Sequence, residues 1–233
     1  MAKHRAIGPE RPLPEIQTVP APVFLYRVAT PSTGLEFARI DALTAASDRG
    51  NRFDVPGGGV LYCGSDIRGC FAETLSRYRI KLNSPAAAAA ALDTGFMPPG
   101  SIPADWRAQR LVFKLYLENA LPFVDIENEE TRARMSIELA GRLAKHGIED
   151  LDVAAVRGGN RRLTRDLAQW AYTAVGEDER PNYSGIRYMS KHGEYECWAV
   201  FEGTGVQKES VRTIEWSDED LQHVGRIFNL TVH

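Results

Sequence analysis

The sequence is poor in cysteine and lacks metal-binding patterns. It has 3 cysteines in 233 residues, at positions 63, 70 and 197, and they form neither an even disulfide set nor a CxxC pair. We therefore expect reduced thiols that pack as small core residues, in a reducing compartment. The 5 histidines are scattered along the chain without HExxH or another ligand spacing, so the sequence predicts no metal site.

A strong excess of one charge and a long apolar segment are also absent. The 28 Lys and Arg against 31 Asp and Glu give a net charge of −3. No basic field therefore predicts direct binding of nucleic acid, and an anionic ligand would have to be held locally. No segment approaches the length of a membrane span, and the first residues lack the apolar core of a signal peptide. These absences predict a cytoplasmic protein that does not enter a membrane.

The composition is that of one soluble globular domain. The chain is 43% hydrophobic and 25% charged, and no internal repeat divides it. Five of the 13 prolines lie in residues 1–22, which predicts an extended N-terminal arm that is not a packed element. This arm is either disordered or docked on a partner. We predict a single domain over residues 23–233, with an Ala- and Pro-rich insertion near 84–105.

Apolar periodicity predicts a sheet with flanking helices. Strands are expected at residues 23–28, 59–63, 110–117, 186–190, 195–201 and 211–216. Helices are expected at residues 34–46, 67–78, 86–91, 129–146, 163–175 and 217–228. The helix at 34–46 rests on the capping-box spacing of Thr33 and Glu36.

A glycine-rich loop, residues 51–59, precedes the short strand GVLYC. Its three consecutive glycines either leave backbone N–H groups free for a ligand or only shape a turn. It is not a P-loop, because no Gly-Lys-Ser/Thr follows. Arg52 in this loop is either a solvated charge or part of a rim that holds an anion.

Four other polar residues are candidates for a site. Arg27 lies on the first predicted strand. It is a surface charge if that strand is at an edge of the sheet, and it binds an anion such as phosphate if the strand is internal. Tyr62 is either a core tyrosine or a flat face on which a ring stacks. Glu73, at the flank of an apolar helix face, meets either solvent or a cleft, where it would stabilise positive charge in a transition state. Ser190 either caps a strand end or holds a ligand hydroxyl.

The sequence offers one obvious catalytic carboxylate, with no paired acid and no GxSxG nucleophile elbow. Such a site suits a reaction whose leaving group departs without an acid. Cleavage of the nicotinamide–ribose bond of NAD is one, because the leaving group is already cationic and an oxocarbenium-like centre develops beside the carboxylate. The pattern permits this reaction and does not single out NAD.

Five segments, in order, resemble the RES domain family. They are YRV at 26–28, NRFD at 51–54, GVLYCGSDIRGCFAET at 59–74, YSGIRYMSK at 183–191 and CWAVFE at 197–202. The family is named for an arginine, a glutamate and a serine, which Arg27, Glu73 and Ser190 match. The resemblance covers about residues 23–202.

The resemblance implies a compact α+β fold, with a mixed or antiparallel β-sheet core flanked by helices, similar to ADP-ribosyltransferases. It also implies a bacterial toxin that degrades NAD and is held inactive by an Xre-like antitoxin. Glu73 would hold the ribose hydroxyl and stabilise the cation, Arg27 would clamp the pyrophosphate or the nicotinamide ribose, and Tyr62 would stack near nicotinamide. Arg52 would line the NAD pocket, and Ser190 would be a supporting contact.

The resemblance leaves the acceptor open. Water or phosphate would make the protein an NAD glycohydrolase or phosphorylase, and a protein acceptor would make it an ADP-ribosyltransferase. A non-catalytic module that binds a nucleotide or a partner is a third reading. Asp54 departs from the family pattern, in which many members carry asparagine there. The basic segment RGGNRR, residues 157–162, is either a solvated helix entry or a contact for the acceptor or the adenosine end.

Overall fold

The computed structural model describes residues 12–80 and 98–233. The strands are β1 (Thr18–Val19), β2 (Leu25–Ala29), β3 (Ala38–Arg39), β4 (Gly59–Gly64), β5 (Ser101–Ile102), β6 (Leu111–Glu118), β7 (Phe123–Asp125), β8 (Gly185–Met189), β9 (Glu196–Phe201), β10 (Gly205–Thr213) and β11 (Thr231–Val232). The helices are α1 (Ala42–Ala45), α2 (Ile67–Leu75), α3 (Ala104–Ala108), α4 (Glu129–Glu138), α5 (Ala140–Lys145), α6 (Val153–Arg157), α7 (Arg161–Thr173) and α8 (Glu219–Ile227). A 3₁₀ turn, Ser76–Tyr78, follows α2.

A large sheet forms the centre of the described part of the chain. Its strand order is β1-β7-β8-β9-β4-β2-β6-β10, and β3 pairs beside β4. The pairs in this sheet are antiparallel except for β7 with β8. A small parallel pair joins β5 and β11. The protein therefore has the α+β fold that was predicted, a mostly antiparallel sheet flanked by helices.

Two groups of helices bury different parts of this sheet. Helices α4 to α7 pack with β4, β7, β8 and β9 around a core that contains Phe53, Met135 and Leu167. Helices α2, α3 and α8 form a second core, which contains Phe71 and Trp106. Both cores consist of fully or nearly fully buried apolar side chains, as the helical and strand periodicity of the sequence predicts.

The sheet opens between β2 and β4. These strands pair through one residue pair, Tyr26 with Gly64, whereas β2 pairs with β6 over five consecutive residues. Beyond that pair, the Nη1 atom of Arg27 donates a hydrogen bond to the carbonyl oxygen of Tyr62 at 2.7 Å. A side chain thus replaces the missing ladder contact, and the gap between the two strands leaves room for a cavity.

The predicted helix at 34–46 is wrong over most of its length. Residues Ala38–Arg39 form β3 against β4, and the helix is limited to the single turn of α1. Gly34 lies against the ring of Phe113, where an added Cβ would come within 2.2 Å of a ring carbon. The backbone N–H of Thr33 closes a turn onto Thr30. Tertiary packing and strand pairing therefore override the capping-box spacing.

The prediction that the N-terminal arm is unpacked is wrong for its described end. Thr18–Val19 pairs with β7, and the backbone N–H of Gln17 donates to Oγ1 of Thr131 at 2.9 Å. The predicted helix at 129–146 is divided at Leu139 into α4 and α5. The predicted helix at 86–91 lies outside the described residues. The remaining predicted strands and helices are present with shifted ends, except that only the first half of the strand predicted at 211–216 is one, as the end of β10.

Candidate functional site

A cavity of about 380 Å³ lies where β2 and β4 diverge. Four residues that the sequence singled out line it, namely Arg27, Arg52, Tyr62 and Glu73. They come from β2, from the glycine-rich loop, from β4 and from α2, so separate segments meet at one place. Ser190, the fifth, does not line the cavity but contacts Glu73, which does.

Helix α2 brings Glu73 to the cavity. The carboxylate of Asp66 caps the helix by accepting from the backbone N–H of Arg68, and Cys70, Phe71 and Leu75 are buried side chains of its apolar face. Glu73 lies beside this apolar face and remains partly exposed. The helix thereby holds a carboxylate at the cavity on a rigid element.

Ser190 positions this carboxylate. Its hydroxyl donates to Oε1 of Glu73 at 2.6 Å and accepts from the backbone N–H of His192 at 3.0 Å. Ser190 is 3% exposed, at the end of β8, where its own N–H donates to Tyr195 and closes the turn towards β9. A serine hydroxyl has one proton to donate, and here the Glu73 carboxylate accepts it. The structure therefore gives Ser190 a contact with Glu73 in place of a direct position on the cavity wall.

The Nε–H donor of Arg27 has no hydrogen-bond partner among the described residues. Its Nη1 donates to Tyr62 and its Nη2 to the carbonyl of Thr33 at 3.4 Å, whereas its buried Nε atom has no partner in the described residues. No carboxylate of these residues lies within 4.0 Å of its guanidinium. A buried donor without an acceptor is costly, so this arginine is suited to an anionic ligand.

Arg52 connects separate segments of the chain at the cavity. Its guanidinium donates to the backbone carbonyls of Met189 and Val156 and lies 5.1 Å from the ring centroids of both Phe53 and Tyr188. These contacts tie the glycine-rich loop to the ends of α6 and β8. Arg52 contributes positive charge to the cavity, but part of its hydrogen-bonding capacity is used by the protein itself.

The hydroxyl of Tyr62 is committed to the protein. It donates to Oδ1 of the fully buried Asp54 at 2.9 Å and accepts from the backbone N–H of Phe53 at 3.1 Å. Burial, and then the nearby charge of Asp54, raise the pKa of Tyr62 well above its usual value. Asp54 also accepts from the side chain of Asn51 at 3.2 Å. Tyr62 therefore offers the cavity its ring, while Asp54 fixes the ring's orientation.

We expect Tyr62→Phe to lower the free energy of unfolding by about 1–3 kcal/mol, because it removes a donor from the buried Asp54 carboxylate. Urea denaturation measures this loss. The control is Tyr183→Phe, which keeps the stacking of that ring on Trp170 and should change little. Equal stability losses in the two variants would contradict the role given to the Tyr62 hydroxyl.

The cavity also contains residues that the sequence did not single out. Tyr188 is 5% exposed and packs with its ring 4.6 Å from that of Phe53. His192 follows Ser190, and burial is the main cause that lowers the pKa of its imidazole. Alternation along β8 places Tyr188 and Ser190 on one face, so the strand period could have revealed Tyr188. His192 lies in a turn, where no such pattern exists.

The three cysteines are buried and free, as expected, and all of them line the cavity. Burial raises the pKa of Cys63 to about 12 and raises that of Cys197 as well. These thiols are therefore protonated near neutral pH, and a thiolate nucleophile is not favoured here.

Positive side chains outnumber negative ones around the cavity. Glu73 is the single carboxylate among its described lining residues, against Arg27, Arg52, Arg161 and Lys191. Such a site suits an anionic ligand that presents a cationic centre to Glu73.

No group of His, Cys, Asp or Glu in the described ranges is arranged to hold a metal ion. Within those ranges, too, no helix combines the length and the apolar character that crossing a membrane requires.

The chain was compared with curated proteins, with solved structures and with protein-family models. A search of curated proteins found no significant match. Among solved structures, the chain is similar to one described as "Crystal structure of the M.tuberculosis MbcT-MbcA toxin-antitoxin complex", with 13% identity, coverage of 92% of this chain and 88% of the other, and a TM-score of 0.44. The sequence model of the RES domain matches residues 24–220, which include Arg27, Glu73 and Ser190. The chain therefore belongs to the RES domain family.

Proposed function

We propose that this protein cleaves the nicotinamide–ribose bond of NAD, with water or phosphate as the acceptor. The proposal rests on Glu73, whose carboxylate accepts a hydrogen bond from Ser190. Among the described residues it is the single carboxylate that lines the cavity, and the other lining residues include arginine, lysine and aromatic side chains. This arrangement matches NAD, which combines a negative pyrophosphate with a positive nicotinamide ring. Membership of the RES family supports the same reading.

In the proposed reaction, the bond between the nicotinamide nitrogen and C1′ of the ribose breaks. Its electron pair leaves with nicotinamide, which becomes neutral, and positive charge develops on the ribose. The Glu73 carboxylate stabilises this charge and holds a ribose hydroxyl. With water as the acceptor, its oxygen bonds to C1′ and a proton is released to solvent, so that ADP-ribose is formed. With phosphate as the acceptor, a phosphate oxygen bonds to C1′ and the product is ADP-ribose that carries a phosphate at C1′.

Arg27 and Tyr62 orient the substrate in this proposal. The Nε–H of Arg27, which has no partner among the described residues, donates to a phosphate oxygen or to the nicotinamide ribose. The Tyr62 ring, fixed by Asp54, stacks beside nicotinamide. Arg52 holds the wall together and adds positive charge. Ser190 keeps the carboxylate in one rotamer, so that little reorganisation is needed during the reaction.

We further propose that the protein acts in the cytoplasm as the toxin of a toxin–antitoxin pair, with an Xre-like antitoxin that blocks it. The RES family membership supports a toxin role. The test is expression of the chain alone and together with the candidate antitoxin. Growth arrest and NAD depletion with the chain alone, and relief of both by the second protein, are expected. Unchanged cellular NAD on expression of the chain alone would contradict the toxin role.

The enzymatic proposal is tested by incubating the purified protein with NAD and measuring free nicotinamide. Parallel samples contain buffer without phosphate, buffer with phosphate, and NAD labelled in its ADP-ribose part together with a cell lysate. Release in the first two samples supports a glycohydrolase or a phosphorylase, depending on which is faster. Label retained on a protein would identify an ADP-ribosyltransferase instead. NAD binding without nicotinamide release in any sample would leave a binding module and overturn the proposal.

We expect Ser190→Ala to lower kcat about 10-fold while KM for NAD changes less than about 3-fold, because Ser190 bonds to Glu73 and not to the substrate. Steady-state nicotinamide release gives both constants. Ser47→Ala is the matched control, since that hydroxyl bonds to the carbonyl of Thr44 at 2.9 Å, away from Glu73. A KM effect without a kcat effect would contradict the positioning role.

A further inference from the structure

The basic segment RGGNRR separates into three arginines with different surroundings. Arg157 pairs with Glu127 at 2.8 Å, and the exposed Arg162 lies 3.7 Å from the carboxylate of Asp48. Arg161 lines the cavity instead and donates to the backbone carbonyl of Asp48. Among the described residues, no carboxylate lies within 4.0 Å of the Arg161 guanidinium. One arginine of this segment is thus left to act on the cavity.

The start of α7 is fixed against the glycine-rich loop. The Asn160 side chain caps the helix by accepting from Leu163 at 3.1 Å, and the Thr164 hydroxyl donates to the carbonyl of Arg52. Arg165, which is 3% exposed, donates to several backbone carbonyls in the segment 44–49. These contacts hold Arg161 in place, so a ligand that it binds meets a preorganised cation.

The charge at this end of α7 is also unusual. The first turn of α7 contains no acidic residue and begins with Arg161 and Arg162, although the helix dipole favours negative groups there. Arg161 therefore adds to the positive potential of the helix end on the cavity side. A phosphate group would compensate both contributions.

Arg161 reaches the cavity from another layer of the protein than Glu73. Helix α7 packs in the core with α4 to α6, whereas α2, which carries Glu73, packs with α3 and α8. Arg27 lies on β2, the strand that α2 covers. Two guanidinium groups on separate elements can each bind one phosphate of a pyrophosphate, since each offers a planar set of donors.

We propose that Arg161 binds the phosphate on the adenosine side of the pyrophosphate, so that the site selects a dinucleotide over nicotinamide mononucleotide. This inference rests on the proposed cleavage of NAD. Arg27 and Glu73 act at the nicotinamide-side phosphate and ribose, which both substrates contain. Arg161 acts on a group that only the dinucleotide has.

The test compares nicotinamide release from NAD and from nicotinamide mononucleotide by wild type and Arg161→Gln. We expect kcat/KM for NAD to fall about 10-fold and that for the mononucleotide to change less than about 2-fold, because a hydrogen bond to a charged group is lost for NAD alone. Arg162→Gln is the matched control and should leave both substrates unchanged. Equal changes for both substrates, or none for either, would overturn the inference.

Binding separates failure of this inference from failure of the proposed reaction. Titration calorimetry of ADP-ribose should show about 10-fold weaker binding to Arg161→Gln than to wild type, with or without catalytic activity. Wild type that releases no nicotinamide but shows this difference would overturn the reaction and support the phosphate contact. Unchanged ADP-ribose binding in an active enzyme would overturn the contact alone. Thermal unfolding checks that the variants are folded. If Arg161→Gln is unfolded, Arg161→Lys, which keeps the charge, takes its place in both measurements.

Discussion

Glu73→Gln is expected to slow nicotinamide release from NAD roughly 100-fold or more, with little change in KM. Glutamine has nearly the same shape and can still accept the Ser190 hydrogen bond of 2.6 Å, so the variant removes charge and leaves the packing in place. The loss falls on kcat because the carboxylate interacts most strongly with the positive charge that develops as the bond breaks. Single-turnover and steady-state measurements of nicotinamide give the two constants.

The control for this variant is Glu129→Gln, which neutralises an exposed carboxylate in the first turn of α4. Its rate should equal that of wild type. Urea denaturation of Glu73→Gln should give a stability near that of wild type, because Glu73 is partly exposed. A wild-type rate in Glu73→Gln would remove this residue from the proposed mechanism, even if NAD cleavage itself is observed.

Arg27→Lys is expected to raise KM for NAD about 10-fold or more, although the positive charge is retained. Lysine cannot present the planar donor set that binds two oxygens, and it lacks the geometry that lets Arg27 donate to Tyr62 at 2.7 Å. The sheet gap between β2 and β4 would then lose one bridging contact, so the melting temperature should fall by several degrees. Steady-state kinetics and calorimetry measure the two effects.

The matched control is Arg39→Lys, an exposed arginine of β3 that pairs with Glu202. Its KM and melting temperature should stay near those of wild type, since exposed ion pairs contribute about 0–1 kcal/mol. If Arg27→Lys and Arg39→Lys behaved alike, Arg27 would have no special role at the cavity, and the unpaired Nε atom would need another explanation.

Local sequence signals gave the elements that carry Tyr62 and Glu73. The apolar run GVLYC forms β4, and the cap at Asp66 followed by a regular apolar stripe forms α2. Both depend on neighbours a few residues away, so propensity and periodicity suffice. The same reasoning failed at 34–46, where Gly34 packs on Phe113 and β3 pairs with β4, contacts between residues distant in sequence.

The sequence by itself determined the fold class, the main strands and helices, and the types of residue available for an anion and for a cationic centre. Only the tertiary structure decided which of these residues contact one another and which of them line the cavity. Ser190 meets Glu73 across 117 positions of the chain, and Arg161, not its neighbour Arg162, lines the cavity. The physical reason is that such contacts depend on how separate elements pack and on which donors the backbone already uses, and neither is encoded in local spacing.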